Sequence, residues 1–402
     1  MHPIIDALPG SLCYLDGEYT PLRDARISVL DRGFIFGDGV YEVVPVYGGA
    51  PFCFEEHMAR LDRSLAELRV SNPLSHVEWL DIAKRLIAAS PAAERAGMQG
   101  IYIQVTRGVA PREHAMPAGL TPTVFMMLNP LKEMPDAVRT DGVACVSAYD
   151  FRWQKAHIKT TSLVGAVLAR QISVEAGAAE TIMFRGDWLS EASSSNVWVV
   201  KDGVVSGPLK DELVLAGIRF NVIERICAEA GIPFTLRRIG REEVFGADEL
   251  LISSASKEVQ PVVTLDGRPI GSGRVGPVYR AIDAGYQRAK ARSAQEQGLA
   301  PVSVPAARPI DAPIDARKDS LIEYPSQFPI KVMGAKVDGF VHAITQIAER
   351  FDPAFDATTV ELRPSSGGKY LGVTITVTAT SREQLDDIYR ALTAHPMVKV
   401  VL

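Results

Sequence analysis

Residues 156–171 read AHIKTTSLVGAVLARQ. Val164, Val167, Leu168 and, just beyond, Ile172 recur at helical spacing, which predicts an apolar helix face beginning a few residues after Lys159. Before the lysine, GVACVSAYDFRW (142–153) reads as a strand. A lysine held between two core elements is partly desolvated. Desolvation lowers an amine's pKa and makes it a nucleophile of the kind Schiff-base chemistry needs. Taken alone, the plainer reading is a surface lysine.

The same mixture of periods extends outward. GAVLARQISVEAG (165–177) and IRFNVIERICAEAG (218–231) read as helices, each closed by a glycine. TIMFRGDWLS (181–190), NVWVVKDG (196–203) and ELLISSA (249–255) read as strands. Upstream, SLCYLDGEYTPL (11–22) predicts a hairpin turning at Asp16-Gly17, and a β-rich run over 40–47 ends at Gly48-Gly49. Met58, Leu61, Leu65 and Leu68 mark one helix, a second covers about 76–89, and strands cover about 101–107 and 122–129. LNPLKEMPD (128–136) reads as an interdomain connection, giving domains at 1–132 and 133–290.

From 291 to 320 large apolar residues almost vanish and PIDA occurs twice, as in an extended linker. Residues 321–402 then read strand, helix, hairpin, helix, strand, with Val341, Ile344 and Ile347/Ala348 on one helix face. Ser381 and Gln384 suggest a capping box at the second helix. The order βαββαβ is that of a ferredoxin-like fold. The fold class predicted for the whole chain is therefore α/β (α+β) in two domains, followed by this smaller one.

The 402 residues are 47% hydrophobic and 23% charged, ordinary for a globular protein. A net charge of −5 argues against nucleic acid or an anionic membrane surface as partner. Cys13, Cys53, Cys145 and Cys227 form no CxxC pair, so neither a disulfide framework nor a metal site is expected. No apolar run approaches about 20 residues. MHPIIDALPG lacks a charged segment followed by an apolar core, so no secretory signal is expected and a cytoplasmic protein is.

Two further stretches carry chemistry. Glu191 precedes ASSSN, small residues that let a flat ligand approach and offer hydroxyl donors. A buried Glu can hold a pyridine nitrogen protonated, although a Ser-rich turn is the plainer reading. In VTRGVAPREHAMP (105–117), a strand feeds a stiff loop with Arg107, Arg112 and His114, cations that are otherwise simply hydrated. GSGRVG (271–276) matches GxGxxG but has no following βα unit, so it is read as a chance match.

Together, DRGFIFGDGVYEVV, EEHMARLDRS, VTRGVAPREH, HIKTTSLVGAVLA, SEASSSNV, LAGIRF and ELLISSASKEVQPV make residues 1–290 resemble the class IV pyridoxal-phosphate aminotransferases. DGVYEVV and the Arg-Gly…Arg-x-His loop look most like the D-amino-acid members. The resemblance implies that Lys159 binds the cofactor aldehyde and shuttles the proton, and that Glu191 pairs with the pyridine nitrogen. It implies Arg60, Ser194, Ile218, Arg219, Ser254 and Ala255 at pyridoxal 5′-phosphate, mainly at its phosphate. It implies Tyr41, Arg112 and His114 at the substrate carboxylate, the loop arriving from the second subunit of a homodimer. Two departures stand out: Arg219 and Ala255 occupy positions where the family usually has threonine.

The implied reaction is transamination between a D-alanine-like amino acid and a 2-oxo acid such as 2-oxoglutarate. A 4-amino-4-deoxychorismate lyase and a branched-chain aminotransferase are rivals within the class, and an amino-acid sensor is a rival outside it. Residues 321–402 resemble the YbeD-like family through EYPSQFPIKVMG, RPSSGGKYLGVTITVTATSREQLDDIYRAL and VKVVL. By analogy with other ferredoxin-like modules, a regulatory role with a ligand or protein partner is the expectation there.

Overall fold

The first sheet holds β1 (Leu12–Leu15), β2 (Glu18–Pro21), β3 (Gly39–Tyr47), β4 (Ala50–Pro51), β5 (Met98–Thr106) and β6 (Thr123–Pro130). The structure is a computed structural model that describes residues 11–296, 324–364 and 369–401. The six strands pair antiparallel in the order β2-β1-β6-β5-β3-β4. Asp16 and Gly17 both take positive φ, as a two-residue hairpin turn requires.

Helices α1 (Arg32–Phe36), α2 (Phe54–Glu67) and α3 (His76–Ala89) accompany this sheet. Phe54, Met58, Leu61 and Leu65 of α2 recur at helical spacing and pack on Val40, Val44, Ile101 and Ile103 of the sheet. Each such side chain, fully buried, contributes about 1.5–3 kcal/mol. Helix α3 starts in a Ser75–Glu78 capping box. The single turn α1, in DRGFIF, is too short for a periodicity to reveal. Asp31 caps it by accepting from Gly33 N–H.

The second sheet has nine strands: β7 (Val143–Tyr149), β8 (Glu180–Arg185), β9 (Trp188–Ala192), β10 (Asn196–Lys201), β11 (Val204–Gly207), β12 (Phe234–Leu236), β13 (Glu249–Ser254), β14 (Glu258–Leu265) and β15 (Arg268–Pro269). It is mixed, with β7 parallel to both β8 and β14. The run TIMFRGDWLS is not one strand. It turns at Gly186 and forms the hairpin β8–β9. Alternation along β10 sends Trp198 and Val200 to one face and Val197 and Val199 to the other. Helices α5 (Arg219–Ala230) and α6 (Pro277–Glu296) cover the Trp198 face with Phe220, Ile223, Tyr279 and Tyr286. Helix α6 continues six residues past the predicted boundary at 290, because Ala294 still packs in the interior.

Helix α4 (Val164–Glu175) departs from its predicted orientation. Ala169 and Ser173 face inward, while Val164, Val167 and Leu168 are exposed. Its apolar stripe is thus not a core face within one chain.

Chain contacts set Ala306–Leu402 apart as a second unit. It contains β16 (Ser326–Ala335), α7 (Phe340–Phe351), β17 (Glu361–Pro364), β18 (Tyr370–Ala379), α8 (Arg382–Ala394) and β19 (Val398–Val401). The sheet order β17-β18-β16-β19 is the ferredoxin-like one, with both helices packed over Ile330, Val373 and Ile375. The expected capping box is displaced by one residue: Ser381 accepts from Gln384 N–H, but Gln384 Oε1 accepts from Thr380 N–H. Linker residues 297–320 and most of the SSGGKY loop lie outside the described residues. Among the described residues, no helix is long and apolar enough to cross a membrane.

Candidate active site

A cavity of about 470 Å³ lies between the two sheets of the first unit, and Lys159 lines it. The lysine is held by backbone pairing. Tyr41 N–H donates to Lys159 O at 2.9 Å, Thr161 N–H donates to Gly39 O at 3.0 Å, and Val40 bridges to Thr160. Lys159 N–H reaches Ser64 Oγ of α2 at 3.3 Å. The segment between β7 and α4 thereby becomes an extra rung beside β3. The half-buried Lys159 amine stands 4.0 Å from the centre of the Tyr41 ring. Tyr41 is half-buried at the cavity and stacks on Tyr102, so it is not a core tyrosine.

Glu191, at the end of β9, also lines the cavity and is 4% exposed. Arg152 Nη1 donates to Glu191 Oε1 at 2.7 Å. Asn196 Nδ2 and Leu215 N–H both donate to Oε2 at 3.2 Å. Burial pushes the Glu191 carboxyl up to about 7, against the pull of Arg152. Three donors nonetheless aim at it, which suits the ionised acceptor. Arg152 is itself steadied by Asp150, which also takes Arg185 and Ser190.

Arg60 comes from α2. Its Nε donates to Glu42 Oε1 at 2.7 Å and its Nη2 to Glu42 Oε2 at 2.8 Å. His57, one turn earlier, meets Glu42 Oε2 through Nδ1 at 2.7 Å. A carboxylate only accepts, so Nδ1 carries the proton and Nε2 is left as an acceptor. Nε2 is buried without a partner. Burial would raise the Glu42 carboxyl, but Arg60 and His57 hold it well below the usual carboxylate range. Burial pushes the His57 imidazole down to about 4, so it is neutral at ordinary pH.

Ile218 and Arg219 open α5 beside Gly217, and Ser254 and Ala255 close the facing end of β13. A Cβ on Gly217 would fall 2.0 Å from Asn196 Oδ1, so any other residue here would have to displace the amide that bonds Glu191. The first N–H groups of a helix lack intrahelical partners and form an anion-binding end. With Arg60 and these turns at one end and Lys159 and Glu191 in the same cavity, the lining fits a flat ring bearing a phosphate.

Ser194 is placed differently from expectation. It borders the cavity, but its hydroxyl donates to Glu180 Oε2 at 2.7 Å. Ser193 and Ser195 donate to the same carboxylate, and Lys257 Nζ pairs with it. Burial opposes its ionisation, yet Lys257 and the serines bring the Glu180 carboxyl down to about 2. The three serines build the turn behind Glu191 and their hydroxyls point to Glu180.

Arg112 and His114 are exposed and do not line the cavity of their own chain. Both lie against the Phe36 ring, at 5.4 Å. Gly108, at φ 101, starts their loop, where a Cβ would fall 2.0 Å from Thr121 O. Arg107 is a structural residue, buried and paired with Asp38. The GSGRVG turn precedes α6, whose Val278 and Tyr279 N–H groups donate to Glu249.

Glu42, Arg152 and Glu180 were not legible as site residues. Glu42 carried a signal: it sits next to Tyr41, on the opposite face of β3, and so points at α2 where Tyr41 points at Lys159.

Residues 39–265 match the family described as amino-transferase class IV, and residues 319–402 match a protein family of unknown function, DUF493. The D-alanine aminotransferase of Staphylococcus haemolyticus is 36% identical over 275 residues, 68% of this chain and 96% of that protein. That of Bacillus licheniformis is 36% identical over 272 residues, 68% and 94%. A solved branched-chain amino acid aminotransferase from T.th., complexed with N-(5′-phosphopyridoxyl)-L-glutamate, superposes with a TM-score of 0.65 at 24% identity. The match covers 73% of this chain and 99% of that one. The branched-chain aminotransferase of Thermoproteus uzoniensis gives 0.63 at 23% identity, covering 72% and 99%. These structural likenesses show the fold. The family match and the sequence relatives identify the chain as a member of the class IV aminotransferases, joined to a DUF493 domain.

Proposed function

We propose that this chain is a pyridoxal-phosphate aminotransferase that moves an amino group between a D-alanine-like amino acid and a 2-oxo acid such as 2-oxoglutarate. The observation that carries the reading is the shared cavity of Lys159, Glu191 and Arg60. The D-specific part is supported by relatives named D-alanine aminotransferases. The cofactor, when bound, supplies an electron sink for the Cα–H bond electrons. Glu191 accepts the ring N–H and, as an anion, keeps that nitrogen protonated. Arg60 and the 217–219 and 254–255 turns hold the phosphate. Lys159 Nζ holds and moves the proton at the substrate Cα.

Two observations support a homodimer. Val164, Val167, Leu168, Tyr149, Phe151 and Trp153 are exposed on one chain, an apolar set that calls for cover. Arg112 and His114 are also turned away from their own cavity and are free to serve a partner's. Residues 319–402 receive no activity in this reading.

The test is a steady-state assay with purified protein, D-alanine and 2-oxoglutarate. Pyruvate is expected to accumulate beyond one equivalent per active site only when the acceptor is present. Conversion of L-leucine with D-alanine ignored would instead favour the branched-chain activity.

A further inference from the structure

Arg219 is a buried cation in no ion pair: the Glu258 carboxylate acts on it only from a distance and is bonded to Arg139, Gln287 and Lys290 instead. It is 2% exposed, and its Nε and Nη1 have no hydrogen-bond partner. Nη2 reaches only Ala255 O, at 3.4 Å. The guanidinium lies 5.2 Å from the Phe52 ring and 5.4 Å from the Tyr286 ring. By contrast, Glu42 neutralises Arg60, and Asp150 and Glu191 neutralise Arg152. His57, also at this end, is neutral. An arginine cannot shed its proton to escape burial, so a buried unpaired guanidinium calls for an anion.

The position of Arg219 says where that anion belongs. It is the first residue of the 12-residue helix α5, beside the glycine turn, and it lines the cavity. Its one hydrogen bond ties this turn to the facing Ser254–Ala255 turn. Phe220, the next residue, is buried 4.6 Å from the Trp198 ring, which fixes the rotation of α5 and sends Arg219 toward Phe52 and Tyr286.

We infer that Arg219 supplies the uncompensated positive charge that holds a phosphate group at this end of the cavity, where Arg60 mainly orients. A threonine here would offer a hydroxyl and no charge. The inference deepens the cofactor reading and rests on it for the identity of the phosphate ester. Phosphate binding and chain stability are then coupled: the anion that fills the site also pairs the cation.

The test uses the full chain freed of cofactor, in buffer without phosphate or sulfate, titrated with inorganic phosphate. Calorimetry gives Kd and thermal melting gives the linked stability. Arg219→Met is expected to bind phosphate roughly ten- to hundredfold more weakly than the parent. Its melting temperature should rise less than the parent's at the same phosphate concentration and should not fall below the parent's in phosphate-free buffer. Arg219→Lys, which keeps the charge, should retain most of the affinity. Parent-like phosphate affinity in Arg219→Met would overturn the inference, as would equal weakness of the Met and Lys variants. A parallel comparison of pyridoxal with pyridoxal 5′-phosphate separates the two readings. If the parent reacts with the phosphorylated aldehyde at Lys159 and Arg219→Met keeps the same preference for it, this inference falls and the cofactor reading stands. If phosphate binding depends on Arg219 but neither aldehyde reacts at Lys159, the cofactor reading falls and this one stands.

Discussion

Lys159 Nζ stands 4.0 Å from the centre of the Tyr41 ring, and the Tyr41 backbone N–H donates to Lys159 O at 2.9 Å. The two residues belong to different predicted domains, yet one backbone bond fixes the amine against one aromatic face. Lys159→Ala removes the amine and keeps that bond. The variant is expected to bind cofactor without forming the covalent absorbance band and to lose multiple turnover. Retained steady-state turnover would remove Lys159 from the chemistry.

Glu42 holds Arg60 through both carboxylate oxygens and takes His57 as well, all within the interior. Glu42→Gln leaves a buried guanidinium without its counterion, at a cost of about 3–5 kcal/mol. Urea unfolding should show that loss. A variant as stable as the parent would mean that the pair contributes little to holding α2 on the sheet.

Glu191 gives a pH signature in the cofactor-free chain. Burial lifts its carboxyl from an ordinary 4.5 to about 7. Across that window the folded chain holds a proton that the unfolded chain has released. Stability therefore falls as pH rises, by at most about 1.4 kcal/mol per pH unit. Measured against Glu191→Gln, which carries no such proton, the parent should lose stability steadily over the window. A difference that stays flat would mean that Glu191 keeps an ordinary pKa.

Arg112 offers a test of the assembly. Arg112→Ala should load cofactor normally and use substrate poorly, because losing one partner of a desolvated ion pair costs about 2–5 kcal/mol. Mixing Arg112→Ala chains with Lys159→Ala chains should then restore activity, to roughly a quarter of the parent's under random pairing. Each mixed dimer has one cavity with an intact lysine and an intact partner loop. No recovery in proven mixed dimers would place the loop's action within its own chain.

Much of this was legible because periodicity and turn chemistry act locally. Helix 76–89 appeared at its predicted bounds, and the Asp16-Gly17 turn fixed its hairpin. The departures are cases where tertiary context decides. Hydropathy marks Val164, Val167 and Leu168 as apolar, but cannot say whether the chain or another molecule covers them. Ser194 reads as a ligand donor in the sequence, while in the fold Glu180, 14 residues earlier, takes its hydroxyl. Arg152, which shapes Glu191, comes from 39 residues upstream.

The most direct measurement of the central claim is the half-reaction of the holoenzyme with D-alanine and then with L-alanine, without any acceptor. The cofactor's absorbance, anchored at Lys159, is expected to bleach with D-alanine and to persist with the L-isomer. Bleaching by L-alanine alone would contradict the D-amino-acid assignment.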